Sequence, residues 1–257
     1  MYNIVANAFK AAQESRREAY QLAHNIEMSR LPASDMDAIK VPLPLERERE
    51  LFGFYKRLVT KMVAKASEQF APPEAPLAID ETRLLLDGKH NVWDLIEMGR
   101  EPDLDVLWGL LVQVYSQEGA RVAYKQAAAV LVNAFGACET LPVKCTRGVA
   151  ILRADLLSEV VDTATHTRRL LPAAAHEAGR LFLSLAAAAE IGGHQATAAS
   201  LRQFQLSQSF VTPQRRTFPE LDVVQFNTRW KFRLSHCLWD SVSGFLQEHS
   251  RSASAVE

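Results

Sequence analysis

Cysteine is scarce in this sequence, and its scarcity limits both disulfide formation and metal binding. Only three cysteines, Cys138, Cys145 and Cys237, occur among 257 residues. A small, odd number does not supply the disulfide framework of a secreted miniprotein. We therefore expect free thiols, which are typical of a reducing compartment, and a cytoplasmic protein.

The sequence also lacks a long apolar run. A membrane-spanning helix needs about 20 consecutive apolar residues. The longest stretch of small and apolar side chains covers only residues 181–189, between Arg180 and Glu190. The N-terminal segment lacks the basic start and apolar run of a secretory signal. We expect no association with a membrane, and a buried helix at 181–189.

Neither sign of charge is in excess. Lys and Arg number 29, Asp and Glu number 30, and the formal net charge is −1. A protein that coats nucleic acid over its whole surface is strongly basic, so this class is excluded. Apolar residues make up 48% and charged residues 23% of the chain, as in ordinary globular proteins that bury a core.

Helical periodicity dominates the apolar pattern. Between 51 and 70 the apolar residues recur every three or four positions, the spacing of one buried helix stripe. Residues 173–190 are rich in alanine, the best helix former. Gly88, Gly99, Gly119 and Gly136 each follow a short periodic run, where helices commonly end. We predict an all-α fold of roughly eight to ten packed amphipathic helices.

The C-terminal part is predicted to be the longest helix. Thr217 and Glu220 have the spacing of a capping box, and Pro219 would lie in the first turn. Apolar positions then recur from 223 to 245 at helical spacing. A second helix is expected from about 149 to 171. Residues 141–152 form either one small hairpin around Arg147 and Gly148 or a loop, and the sequence does not separate the two.

The domain boundary is predicted at a cluster of prolines. The segment APPEAP, residues 71–76, contains three prolines, which prevent a continuous helix. We expect an N-terminal helical segment at 1–72 and a main helical domain at 77–250, with one continuous domain at 1–250 as the alternative. The tail at 251–257 is small and polar, and we expect it to be frayed.

No motif for catalysis, metal or cofactor binding is apparent. The six residues between Cys138 and Cys145 do not fit zinc, whose cysteine pairs are usually about two to four residues apart. Residues 176–180 read HEAGR, so Arg180 occupies the position of the second histidine of a metalloprotease helix. Neither a nucleotide-binding loop nor a GxSxG elbow occurs. We predict no catalytic residues, no metal and no cofactor, and do not expect an enzyme.

Two groups of cations are candidates for binding. Between 202 and 233, six basic residues face only two acidic ones, Glu220 and Asp222, and six aromatic residues are interleaved: Phe204, Phe210, Phe218, Phe226, Trp230 and Phe232. Basic and aromatic side chains together favour phosphate contact and base stacking, although Phe226 and Trp230 lie on the predicted buried stripe. The predicted nucleic-acid or partner-binding residues are Arg202, Arg215, Arg216, Arg229, Lys231 and Arg233, of which Arg215 and Arg216 are expected in a polar loop. A second predicted cluster, suited to an anion, consists of His166, Arg169, His176 and Arg180.

These observations favour an interaction protein. We predict a non-enzymatic scaffold, adaptor or subunit of a bacterial or viral assembly, with a protein partner. The alternative is a nucleic-acid-binding accessory protein that uses the basic C-terminal surface. A third hypothesis is an enzyme or anion-binding protein that uses the cationic His/Arg cluster. The oligomeric state is left open.

Overall fold

The computed structural model describes residues 1–30, 39–136, 144–146 and 148–250, and these residues form both helices and antiparallel sheets. The fold is therefore α+β, and the predicted all-α class is wrong. The predicted frayed tail at 251–257 and Cys138 lie outside the described residues. The helices are α1 (Tyr2–Arg30), α2 (Pro44–Phe70), α3 (Val92–Glu97), α4 (Leu104–Phe135), α5 (Pro172–Ile191), α6 (Gln195–Arg202) and α7 (His236–Ser250). The strands are β1 (Lys144–Thr146), β2 (Val149–Asp155), β3 (Ser158–Asp162), β4 (Thr167–Leu170), β5 (Phe210–Val211), β6 (Gln214–Phe218), β7 (Leu221–Gln225) and β8 (Arg229–Ser235).

The chain divides into two compact units. The first contains Met1–Gln69 and Ile79–Gln117, and the second contains Phe70–Ala78 and Glu118–Glu257. The proline segment at 71–76 follows the end of α2 and contains no helix, as predicted. The predicted division of the chain into 1–72 and 77–250 remains a prediction.

The first unit is helical, as the sequence predicted. The stripe of α2 is buried at Tyr55, Val59, Met62 and Ala66. Helix α1 packs on α2 through the Phe9 and Phe54 rings, which stack with centroids 4.2 Å apart. Apolar residues of α3 and of the first half of α4 complete this core: Val92, Leu95, Ile96, Leu104, Leu107 and Leu111.

The second unit is built on a five-stranded antiparallel sheet in the order β1-β2-β8-β7-β6. A separate three-stranded sheet has the order β3-β4-β5. β1 and β2 pair directly, with Thr146 opposite Val149, so the hairpin alternative for 141–152 is confirmed for its described residues. β8 lies at the centre of the five strands because it pairs with both β2 and β7.

One face of the five-stranded sheet is covered by helices. Residues at every second strand position are buried, since neighbouring side chains of a strand point to opposite faces. Leu152, Val223 and Phe232 are opposite one another in the register and lie at 0–5% exposure. They belong to a core that also contains apolar residues of α5, α6, α7 and the second half of α4. The alanine-rich helix α5 is central to this core, as predicted, and Ala186–Ala189 are fully buried.

The predicted long C-terminal helix is wrong over its first half. Residues 214–235 form β6, β7 and β8, and only 236–250 are helical. Pro219 and Glu220 make the turn between β6 and β7, with Glu220 at φ 57°, instead of starting a helix. Arg215 and Arg216 therefore lie in β6 and not in the predicted loop. The helix expected at 149–171 is likewise wrong, because β2, β3 and β4 occupy this segment.

Two of the predicted helix ends are confirmed. Gly99 and Gly136 follow α3 and α4 in left-handed conformations, with φ of 69° and 64°. Gly119 does not end a helix, because α4 continues through it to Phe135. Among the described residues, no helix has the length and apolar character needed to cross a membrane.

Candidate functional site

The five-stranded sheet presents a basic face opposite the face that the helices cover. Strand alternation directs the residues between the buried ones to this side. The register places Arg153 of β2 opposite Lys231 of β8, and Arg233 of β8 opposite Asp222 of β7. We call this side the open face, and define it by its charged residues: Arg153, Asp155, Arg215, Asp222, Arg229, Lys231 and Arg233.

Two of the five cations on the open face are paired with its two carboxylates. Arg229 Nε donates to Asp155 Oδ1 at 2.6 Å, across the pairing of β8 with β2. The guanidinium of Arg215 pairs with Asp222, which also accepts a hydrogen bond from the Thr217 hydroxyl at 2.9 Å. The hydrogen bond and positive charge of each arginine lower the pKa of its aspartate. Both carboxylates are thus ionised at neutral pH and hold their arginines in place.

The other three cations of the open face form no ion pair within the part of the chain that the structure describes. They are Arg153, Lys231 and Arg233; both arginines are exposed, and the ammonium of Lys231 lies 4.9 Å from the centre of the Phe226 ring. Among the side chains that the structure describes on this sheet face, five cations against two carboxylates leave an excess of three positive charges. Such a surface attracts a negatively charged partner.

The structure brings four of the six predicted binding residues together on this face: Arg215, Arg229, Lys231 and Arg233. Arg202 lies at the end of α6, where it pairs with Glu190 and donates to the Glu74 carbonyl at 3.0 Å. Arg216 is opposite the buried Val223 and points to the covered face, where its Nε is buried with no hydrogen-bond partner in the described part of the chain. Sequence reasoning missed Arg153. The alternation of apolar and polar residues in 149–155 was the signal that could have revealed it.

Most of the interleaved aromatic residues lie in the core. Phe210, Trp230 and Phe232 are 3% exposed or less, and Phe204 and Phe218 pack against the same core. Only Phe226, of these six, contacts a cation of the open face. The open face is therefore suited to charge–charge contacts and does not offer a row of rings for stacking bases.

The predicted anion cluster is only partly assembled. His176 and Arg180 lie one turn apart on α5, and both line a cleft of about 500 Å³. Arg180 also lines a second cleft of about 360 Å³, and Asp155 and Glu177 are among the other residues that line it. Arg169 lies in β4 and pairs with Glu159 at 2.9 Å, and His166 lies in the turn before β4 at φ 52°. Two acidic residues in the lining of the second cleft make it a poor site for an anion beside Arg180.

The described residues contain no group of three His, Cys, Asp or Glu side chains that could hold a metal ion. Cys237 is an exposed free thiol at the start of α7. Cys145 lies in β1. The zinc prediction concerns a set that includes Cys138, so it stays a prediction.

Three polar residues that the sequence did not single out form a hydrogen-bonded set in the structure. His194 Nδ1 lies 2.6 Å from Glu220 Oε2, and His194 Nε2 lies 3.0 Å from Ser241 Oγ. The three residues come from the start of α6, the β6–β7 turn and α7. Their sequence separations of 26 and 47 residues hide them from any local motif.

Comparison of the chain with the models of protein families, with curated proteins and with solved structures found no match.

Proposed function

We propose that this chain is an interaction protein that binds an acidic surface of another protein through its open face. The observation that supports this proposal is a set of three cations, Arg153, Lys231 and Arg233, on an exposed sheet face. None of the three has an ion-pair partner among the described residues. Complementary charge guides association and fixes the orientation of the partner.

Two features of the open face favour a protein over a nucleic acid. Asp155 and Asp222 lie among the cations, where they would repel a phosphate backbone. Most of the neighbouring aromatic rings are buried in the core, so they are not available to stack on bases.

Affinity capture with matched charge variants tests this proposal. The first variant combines Arg153→Gln, Lys231→Gln and Arg233→Gln, which remove the three cations without adding a repulsive charge. The control combines Lys56→Gln, Arg57→Gln and Lys61→Gln, three exposed cations of α2. Each tagged protein is incubated with host extract, with and without nuclease treatment, at two salt concentrations.

We expect the wild type and the α2 control to retain the same protein partner, and the open-face variant to lose it. Retention should fall as salt rises, because exposed charges are screened. A partner held equally by all three proteins would show that the open face is not the interface. Retained nucleic acid that disappears with nuclease, together with any bound protein, would favour the nucleic-acid alternative.

A further inference from the structure

Ser241, His194 and Glu220 form a continuous hydrogen-bonded chain in the second unit. A serine hydroxyl lies beside one imidazole nitrogen, and a carboxylate lies beside the other. If Nδ1–H donates a hydrogen bond to the Glu220 carboxylate, the lone pair of Nε2 faces Ser241 Oγ. A nucleophile, a base and a residue that orients the base are the three parts of a serine nucleophile system.

The three hydrogen-bonded side chains differ in how far they are exposed to solvent. The side chain of His194 is 14% exposed, so its ring is held between its two partners, and that of Glu220 is 38% exposed. Ser241 is half-buried on α7. The imidazole is therefore largely shielded from water, while the carboxylate that orients it lies at the surface.

Glycine is required next to Ser241. A Cβ on Gly192 would lie 2.4 Å from Ser241 Cβ and 2.7 Å from Ser241 Oγ, both too close for a side chain. Gly192 and Gly193 are exposed. The backbone of Gly192 therefore packs directly against Ser241 and forms one wall beside its hydroxyl.

We propose that Ser241 is a nucleophile toward small carboxylic esters, with His194 as its general base and Glu220 as the positioning residue of the imidazole. Ser241 Oγ forms a bond to the ester carbonyl carbon, and its proton passes to His194 Nε2. The bond from that carbon to the alkoxy oxygen breaks, and the departing alcohol takes the proton from His194. Attack by water on the resulting acyl-serine, with His194 again as base, releases the acid and restores the hydroxyl.

The surroundings of Ser241 limit the rate that this site can reach. The backbone N–H groups of Gly192, Gly193 and His194 all donate to carbonyls at the end of α5, so they do not stabilise an oxyanion. The loss of one such donor costs about 10²–10³ in rate. We therefore expect slow acylation by activated esters, readily measured as a single turnover, and not rapid hydrolysis of ordinary ones.

The experiment uses the full chain and p-nitrophenyl acetate as the probe. Release of p-nitrophenol is followed by absorbance, and the acetylated residue is located by peptide mass spectrometry. The variants are Ser241→Ala, His194→Gln, Glu220→Gln and Glu220→Asp. Ser243→Ala serves as the matched control, because Ser243 is half-buried on the same helix. Circular dichroism and the melting temperature of each variant are measured alongside.

We expect acetyl-Ser241 in the wild type and in Ser243→Ala, and no label at this position in Ser241→Ala. His194→Gln should slow labelling by at least about 100-fold, the lower range for general base catalysis. Glu220→Gln should slow it at an unchanged melting temperature, and Glu220→Asp should restore part of the rate, since the carboxylate is retained. A purely structural hydrogen bond would not give this rescue.

Two results would overturn the proposal. One is wild-type protein without acetyl-Ser241 after prolonged incubation. The other is labelling of Ser241 at the wild-type rate in folded His194→Gln or Glu220→Gln protein. If His194→Gln does not fold, the Glu220 pair decides, because Glu220 lies in an exposed turn.

Discussion

Gly119 lies in the interior of α4, a position where glycine usually weakens a helix. Its value here comes from packing within the second unit. A Cβ at this position would lie 2.4 Å from the backbone oxygen of Phe70. A backbone atom cannot move aside as a flexible side chain can, so the glycine lets α4 and the end of α2 approach closely.

Gly119→Ala should therefore destabilise the protein, although alanine is the better helix former. We expect the free energy of unfolding to fall by about 1–3 kcal/mol, the usual cost of overpacking. Gly244→Ala is the matched control, since Gly244 lies inside α7 and a methyl group added there would have nothing within 4 Å. The control should gain about 0.5–1 kcal/mol. Urea unfolding measures both, and equal effects in the two variants would contradict the close approach.

At the scale of elements, the burial pattern of β8 distinguishes a strand from the helix that the sequence predicted there. Trp230 is buried on either account, but Phe232 lies off the predicted helical stripe and is fully buried in the strand. Its neighbour Arg233 points to the open face and is exposed. Adjacent residues with opposite burial are the signature of a strand.

We expect Phe232→Ala to lower the free energy of unfolding by about 3–5 kcal/mol. Arg233→Ala should change it by less than about 0.5 kcal/mol. Chemical denaturation of the two variants under the same conditions provides the measurement. A small effect of Phe232→Ala, or a large one of Arg233→Ala, would mean that β8 is not oriented as described.

The helices were predictable because their stripes are long. The apolar stripe of α2 and the alanine run of α5 fit a helical period and fit no strand pattern. The segment 221–234 fits both periods in part. Positions 223, 226, 230 and 234 suggest a helix, whereas the buried residues are 221, 223, 225, 230, 232 and 234. Val223, Val224 and the aromatic residues nearby favour a strand, and this propensity was the deciding signal.

The residues of the candidate sites also divide into those that the sequence revealed and those that it did not. Charge composition alone identified four cations of the open face, because they lie close together in β6 and β8. Arg153 and the chain of Ser241, His194 and Glu220 depend on pairing between elements far apart in the sequence. Only the packed arrangement of strands and helices brings such residues together.

At the scale of the whole molecule, burial is distributed unevenly among the helices. Ten of the 20 residues of α5 are buried. Only two of the 29 residues of α1, Ala6 and Glu27, are buried. A helix in water owes most of its stability to the apolar face that it packs, and local opening is easiest where little is buried.

Hydrogen exchange followed by mass spectrometry should therefore show very different amide protection in α1 and α5. We expect amides in the middle of α5 to exchange at least about 100-fold more slowly than those in the middle of α1, since the former open only with the core of the second unit. Length alone would predict the reverse order, because α1 is the longer helix. Equal protection of α1 and α5 would contradict the view that burial within a single chain determines the stability of these helices. The exposed apolar residues of α1, such as Ile4, Leu22 and Ile26, would then have to be covered by a second chain, and protection that falls on dilution would show it.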